Sequence, residues 1–325
     1  MEVNGTAMSE TVEQGSSEGR VFYLGPEGTF THDAAKLFFE MSQGKVFLPC
    51  DTPPNVMQKM KASPSAYGVV PFENSIHGEV IQTLDALLFE FNEIYIVGEV
   101  SLPITFSLFG LTDRCKPEIV VSHPHALAQC KGFIREHKFI EQSCNSTADA
   151  CRIVAERGSP DYAAIASATA GFMFKLAPIR TRIEDFHGAH TRFLVLSPTL
   201  ELSTGATKSM VAFISPSSSS GVLAQLTSAF ARRAINIYAI HSRPTKSAVG
   251  QYVFTLTVDG SVSSGATREA LLELLGFNFR IKILGTYSSA PGIYPVTPHA
   301  NLDGFLDQQK FHKLIESLKG GSESE

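Results

Sequence analysis

Thr191-Arg192-Phe193, in the stretch IEDFHGAHTRFLVLS, sets a hydroxyl and a guanidinium at the mouth of an apolar strand, Phe193 to Leu196. A polar loop runs directly into that strand, so both groups are offered at its start while the strand itself is buried. An arginine so placed can fork two hydrogen bonds onto a carboxylate. A threonine beside it can hand a proton to a leaving oxygen. The triplet also fits a strand-initiating threonine next to a structural ion-pair arginine, so its company in the chain has to decide.

Other polar groups fall at comparable places. Gly25-Pro26-Glu27-Gly28-Thr29 follows a short strand, Val21 to Leu24, and precedes a helix that begins near Phe30. Strand, Gly-bearing turn and helix N-terminus form an anion cradle, because free backbone N–H groups and the helix dipole both favour negative charge. The turn matches neither the Walker nor the dinucleotide pattern, so no nucleotide is implied, and a plain tight turn fits as well. A strand from Ala66 to Pro71 runs into Glu73-Asn74-Ser75, ahead of a helix carrying Val80, Leu84, Leu87 and Leu88. Asn74 and Ser75 either cap that helix or present an amide and a hydroxyl where open α/β sheets bind ligands.

The pattern repeats further on. Ile119 to Val121 ends in Ser122-His123-Pro124-His125, and Gln129 lies on the helix that follows, where it can share a crevice with Ser122. Ser146 or Thr147 caps a helix that Gly158 stops. Strands alternating with helices predict a mostly parallel sheet, with these polar strand ends gathered on one edge.

The bulk properties narrow the function. A chain of 325 residues corresponds to about two domains. A 43% hydrophobic, 18% charged composition suits a globular protein with a large core. Net charge −5 and pI near 6.1 argue against nucleic acid or an anionic membrane as partner. An anionic small substrate would then be met by local arginines and helix N-termini. Five scattered cysteines (Cys50, Cys115, Cys130, Cys144, Cys151) without a C-x-x-C pair read as reduced core thiols of a cytoplasmic protein. No apolar run reaches membrane-spanning length. The segment 1–19 carries Glu2, Glu10, Glu13 and Glu18 and no hydrophobic stretch, so it is expected to be a disordered tail and not a signal or transit peptide.

After Ser197 the composition shifts to Pro198, Ser203, Thr204 and Gly205, which reads as a linker. Beyond it the spacing predicts strands at Met210–Ile214, Ile235–Ile240, Tyr252–Val258 and Ile281–Tyr287, with helices at Gly221–Arg233 and Thr267–Leu275. That β-α-β-β-α-β order is the ferredoxin-like arrangement. Its small sheet exposes an edge, so pairing with another copy is expected. A last amphipathic stretch (Leu302, Phe305, Phe311, Leu314, Ile315, Leu318) is expected to pack back.

The segments YLGPEGTFTHDAA, VVPFENSIHGEVIQTLDALL, VSHPHALAQC, NSTADAC, AAIAS and HTRFLVL resemble, in this order, the prephenate dehydratase domain. GVLAQLTSAFARRAINIYAIHSRPTK followed by LGTY resembles the ACT regulatory domain. The resemblance covers about Val21 to Tyr287, and no chorismate mutase domain is expected ahead of it. It implies a two-lobed, periplasmic-binding-protein-like α/β catalytic domain at 20–198, with lobe 1 at about 20–100 and 178–198 and lobe 2 at about 101–177. An α+β ACT domain at 207–290 and a C-terminal extension at 291–325 would follow.

The implied reaction is loss of carbon dioxide and the ring hydroxyl from prephenate to give phenylpyruvate, with no metal or other cofactor. The family pattern makes Thr191 catalytic and places Asn74, Ser75, Ser122, Gln129, Ser146 and Thr147 around the substrate, and Thr29 and Phe193 are expected to bind it as well. Arg192 is assigned as carboxylate anchor from its chemistry. Phenylalanine would bind as effector between ACT domains of a homodimer or homotetramer. The matching positions are Gly221, Val222, Leu223 and Asn236, with His241, Ser242, Arg243 and Pro244 in the family's ESRP segment.

Two departures stand out: His241 replaces the glutamate of ESRP, and Gly188-Ala189 stand where many members have an asparagine before the TRF threonine. Arogenate dehydration and non-aromatising decarboxylation of prephenate are rival chemistries on the same scaffold. A non-catalytic ligand sensor is the rival from another class.

Overall fold

The computed structural model describes residues 19–42, 44–200, 205–216, 220–245, 251–288 and residue 308. The expected disordered tail, 1–19, and the amphipathic stretch from Leu302 to Leu318 fall outside the described residues, Gly19 and Gln308 excepted.

Strands β1 (Arg20–Leu24), β2 (Val46–Cys50) and β3 (Tyr67–Asn74) run parallel with β1 in the middle. Successive β1 side chains point to opposite faces, and both faces are apolar. Val21 and Tyr23 pack with Ala34 and Ala35 of α1 (Phe30–Phe38), while Phe22 packs with Val56, Met57 and Met60 of α2 (Pro53–Lys61). A sheet covered by helices on both sides explains why β1 reads as a continuous apolar run.

The chain then makes a short return strand, β4 (Gly78–Glu79), against β3. Helix α3 (Ile81–Asp85) continues into a π-helical turn, Ala86–Glu90. Strand β5 (Tyr95–Pro103) leads out of this sheet.

The second sheet has the order β10–β6–β9–β7–β8. It is built from β6 (Ser107–Gly110), β7 (Ile119–Ser122), β8 (Ile140–Ser143), β9 (Tyr162–Ala166) and β10 (Ala177–Thr181). Between these strands lie α4 (Pro124–Gln129), α5 (Lys131–His137), α6 (Thr147–Arg157) and α7 (Ala168–Met173). Ser146 caps α6 by accepting the Asp149 N–H at 2.9 Å, and Gly158 ends it in the left-handed conformation at φ 62°.

The chain returns to the first sheet as β11 (His190–Ser197), antiparallel between β3 and β5. Because Ala177–Thr181 pairs with Ser107–Gly110, the return falls between Thr181 and His190, not near residue 178. Both sheets are therefore mixed, not mostly parallel: the chain re-enters the first sheet through the loop 182–189, with no helical crossover to keep the strand direction.

The last third forms β12 (Lys208–Ile214), α8 (Val222–Ala231), β13 (Ile237–Pro244), β14 (Tyr252–Asp259), α9 (Gly265–Gly276) and β15 (Arg280–Tyr287). Its strands are antiparallel in the order β13–β14–β12–β15. Leu226, Phe230, Leu271 and Leu274 close one face of this sheet.

The β15 edge is not free to pair with another copy. It joins β5 in parallel, with Gly285 opposite Ile96, so one sheet runs through both parts of the chain. A Cβ at position 285 would lie 2.2 Å from the Ile96 carbonyl oxygen, so the close approach requires glycine.

Two further ties join these parts. Lys208 of β12 donates to Glu99 of β5 at 2.8 Å, and Arg192 donates to Glu99 at 3.1 Å and to Glu73 at 2.7 Å. Lys282 of β15 donates to the carbonyls of Leu87, Leu88 and Phe91, at 2.6, 3.2 and 3.1 Å, and so closes the C-terminal end of the π-helical turn. Lys282→Met, which keeps the stem and removes the charge, is expected to cost about 2–3 kcal/mol in equilibrium urea unfolding. A loss below about 0.5 kcal/mol would show that water satisfies these carbonyls equally well.

Candidate active site

A cleft of about 850 Å³ lies where the ends of β3 and β11 in the first sheet meet the α4 and α6 N-terminal regions of the second. Side-chain alternation along β11 sends Thr191 into it and Arg192 to the opposite face. Thr191 is 9% exposed.

Directly across the strand pair stands Asn74, whose Nδ2 donates to Thr191 Oγ1 at 2.9 Å. The orientation of that amide is set by its other end. Asn74 Oδ1 accepts the backbone N–H groups of Ile76 and His77, each at 3.0 Å, so only the NH₂ can face Thr191. With its oxygen accepting from Asn74, the Thr191 hydroxyl keeps its own proton for a group in the cleft.

Thr29 and Phe193 also line the first wall, and Gln129, Ser146 and Thr147 line the second. The first turns of α1 and α6 therefore reach the cleft, where their dipoles favour an anion. In the Gly-bearing turn two donors are already used internally: Gly28 N–H donates to His32 Nδ1 at 3.1 Å, and Thr29 Oγ1 donates to Pro26 O at 2.9 Å. Thr29 also accepts from the His32 N–H at 3.4 Å as N-cap of α1.

Three expected positions lie elsewhere. Arg192 is no carboxylate anchor for the cleft, because its guanidinium is held behind β11 by Glu73 and Glu99. Ser122 is fully buried and donates to the Ile165 carbonyl at 2.6 Å, joining β7 to β9 inside the second sheet. Ser75 Oγ accepts the His190 N–H at 3.0 Å and so ties the β3 end to the start of β11.

The effector positions are also partly engaged. The His241 ring N–H donates to Glu79, and Arg243 donates to Asp85 at 2.9 and 3.2 Å, so these side chains face β4 and α3. Ser242 and Pro244 alternate outward. Ile214 and Arg243 both pair with Val253, which puts the end of β12 at the same sheet end as Arg243 and Pro244. Asn236 lies at the other end of β13, where its carbonyl accepts the Asp259 N–H at 3.0 Å.

Sequence reasoning assigned no role to the histidines of the cleft. His77 and His125 stack at 4.9 Å with 12° between their planes, and His123 meets His125 edge to face at 5.0 Å. Burial first, with His125 alongside adding to it, holds His77 and His123 below the ordinary imidazole range. The signal was visible in ENSIHGE and SHPHAL, two histidine-bearing loops at strand ends, but nothing in the sequence said that they face each other.

His32 carries a separate consequence. Buried and stacked on Tyr23 at 4.8 Å, it is held below its usual 6.5, chiefly by burial. Its unfolded form takes up a proton below that value before the folded form does, so stability falls as pH drops below about 6.5 and is level above it. Thermal unfolding followed from pH 8 to 5 is expected to show that onset, and His32→Gln should reduce its slope. An equal slope in the variant would assign the acid sensitivity to other groups.

The model of the family described as prephenate dehydratase matches residues 21–200. The bifunctional chorismate mutase/prephenate dehydratase of Aquifex aeolicus is 35% identical over 83% of this chain and 74% of its own length. The prephenate dehydratase of Bacillus subtilis is 31% identical over 83% of this chain and 99% of its own. Among solved structures, a prephenate dehydratase from Arthrobacter aurescens in complex with L-Phe superposes with a TM-score of 0.73 at 29% identity, covering 93% of this chain and 99% of that one. With more than half of its length matched by the family model, and a relative of this identity aligned over most of it, the chain belongs to the prephenate dehydratase family.

Proposed function

We propose that this protein converts prephenate to phenylpyruvate, with Thr191 as the catalytic hydroxyl and phenylalanine as its effector. The observation that carries the reading is the Asn74–Thr191 hydrogen bond at the cleft, which directs the threonine proton toward bound substrate. In the reaction the electron pair of the carboxylate C–C bond moves into the ring as carbon dioxide leaves. The ring C–O bond breaks, and the departing oxygen accepts a hydrogen bond from Thr191. Aromatisation supplies the driving force, so the protein has to hold a dianion and stabilise one developing oxyanion. That chemistry is redox-neutral.

The division into a two-lobed, periplasmic-binding-protein-like catalytic domain and an ACT domain at 207–290 belongs to this proposal. The observed antiparallel order β13–β14–β12–β15 supports the second part. Thr29, Asn74, Gln129, Ser146, Thr147 and Phe193 are proposed to surround the substrate. Phenylalanine is proposed to act near Gly221 to Leu223 in a cytoplasmic homo-oligomer, and the His241–Glu79 contact gives that end of β13 a route to the cleft wall.

The test is an incubation of purified protein with prephenate and, separately, with arogenate, with products identified. Phenylpyruvate from prephenate supports the reading. Phenylalanine from arogenate, a retained dihydro ring, or binding without turnover would each replace it. Repeating the assay with added phenylalanine tests the effector.

A further inference from the structure

A dianion needs positive charge, yet among the described residues lining the cleft there is no lysine or arginine. Two carboxylates, Asp51 and Glu79, line it instead. Glu79 is partly answered by His241 from outside. The titratable groups on the other walls are His77 from the β3–β4 loop and His123 and His125 from the start of α4. His123 Nδ1 accepts the His125 backbone N–H at 3.2 Å as N-cap of α4, so protonating that nitrogen would break the cap. The remaining candidates are His77 and His125.

His77 has a place for a proton. With its proton on Nε2, neutral His77 accepts at Nδ1 from Gln129 Nε2 at 3.3 Å, and Gln129 Oε1 is left buried without a hydrogen-bond partner. Nδ1 becomes a donor, 3.3 Å from Asn74 Oδ1, in the other neutral tautomer or in the cation, and only the cation donates from Nδ1 and Nε2 together. If the Gln129 amide then turns over, its orphaned oxygen accepts from the same N–H and its NH₂ becomes available to the cleft. The charged ring would also lie one amide away from Thr191, through Asn74.

We propose that the stacked His77–His125 pair, backed by Gln129, is a proton-loaded subsite for one carboxylate of the substrate, taking up a solvent proton as the anion binds. The inference rests on the prephenate reading above and adds the source of positive charge. Neither histidine is needed for the elimination itself, so both are binding residues whose loss acts on KM more than on kcat.

The test compares wild-type protein, His77→Asn/His125→Asn and His125→Arg in steady-state turnover of prephenate from about pH 6 to 8.5. Wild-type KM is expected to rise with pH while kcat changes little. The double asparagine variant should show KM raised about tenfold at the acid end and no longer dependent on pH. His125→Arg, which carries a fixed charge, should keep KM low throughout, an outcome that loss of ring stacking would not give. In parallel, prephenate binding to the slow Thr191→Ala protein is followed by calorimetry in two buffers of different ionisation enthalpy. Uptake of about one proton near pH 7.5 is expected, abolished when both histidines are also replaced.

Turnover with a flat wild-type KM, binding without proton uptake, or a raised KM in His125→Arg would each overturn the subsite and leave the reaction standing. Prephenate that is neither bound nor converted would overturn the reaction first and the subsite with it.

Discussion

Replacing Thr191 with alanine is expected to lower turnover of prephenate by about two to three powers of ten with little change in KM. The expectation follows from how the hydroxyl is held. Asn74 fills one of its acceptor sites at 2.9 Å, and the cross-strand register of β3 and β11 fixes the pair in position. One preorganised donor to a developing oxyanion is worth roughly 3 kcal/mol of barrier, and that contribution arises only as the C–O bond lengthens. Thr191→Ser should keep most of the rate, because the proton is retained and the missing methyl only loosens the rotamer. Asn74→Ala should fall between the two, having lost the group that orients the hydroxyl. Near-normal kcat in Thr191→Ala, measured by phenylpyruvate formation, would remove the threonine from the chemistry.

The other large effect is expected at Glu99, on stability. This carboxylate is 2% exposed and accepts from both Arg192 and Lys208, the latter only 6% exposed. Taking it away removes the carboxylate from beside the buried Lys208, while Arg192 keeps Glu73. Glu99→Ala is expected to cost about 3–5 kcal/mol in chemical denaturation. Pairing it with Lys208→Met should recover part of the loss, since the buried ammonium is removed together with the carboxylate that faces it. A cost under about 1 kcal/mol for the single variant would mean that the two cations find water or other partners. The network also accounts for the position of Arg192 beside Thr191: adjacent residues on a strand face opposite ways, so one serves the cleft and the other the packing behind it.

That alternation is where sequence reading reached its limit. Thr191 and Asn74 could be placed at strand ends, and Gln129 on the helix after one, from local pattern alone, and all three line the cleft. Arg192 and Ser122 sit in the same motifs, but the face each side chain takes depends on pleat and register, which a motif does not print. Elements with strong signals, such as β1 with its apolar run and α6 between Ser146 and Gly158, were legible. β2 and α2 were not. VFLPC carries a proline, and α2 opens with Pro53-Pro54, which reads as a turn although proline suits a helical first turn. The mixed sheets were hidden for another reason, since the direction of β11 follows from the distant strands it enters between.

The single register point between Gly285 and Ile96 bears on how the gene product can be cut. Two domains linked only by a tether can be cloned apart, each half keeping its surface. Here a fragment ending ahead of Lys208 would bare the flank of β5 and strand Glu99 without its lysine. A sheet margin opened in that way offers its amides to any passing chain. Truncation ahead of Lys208 is therefore expected to lower solubility.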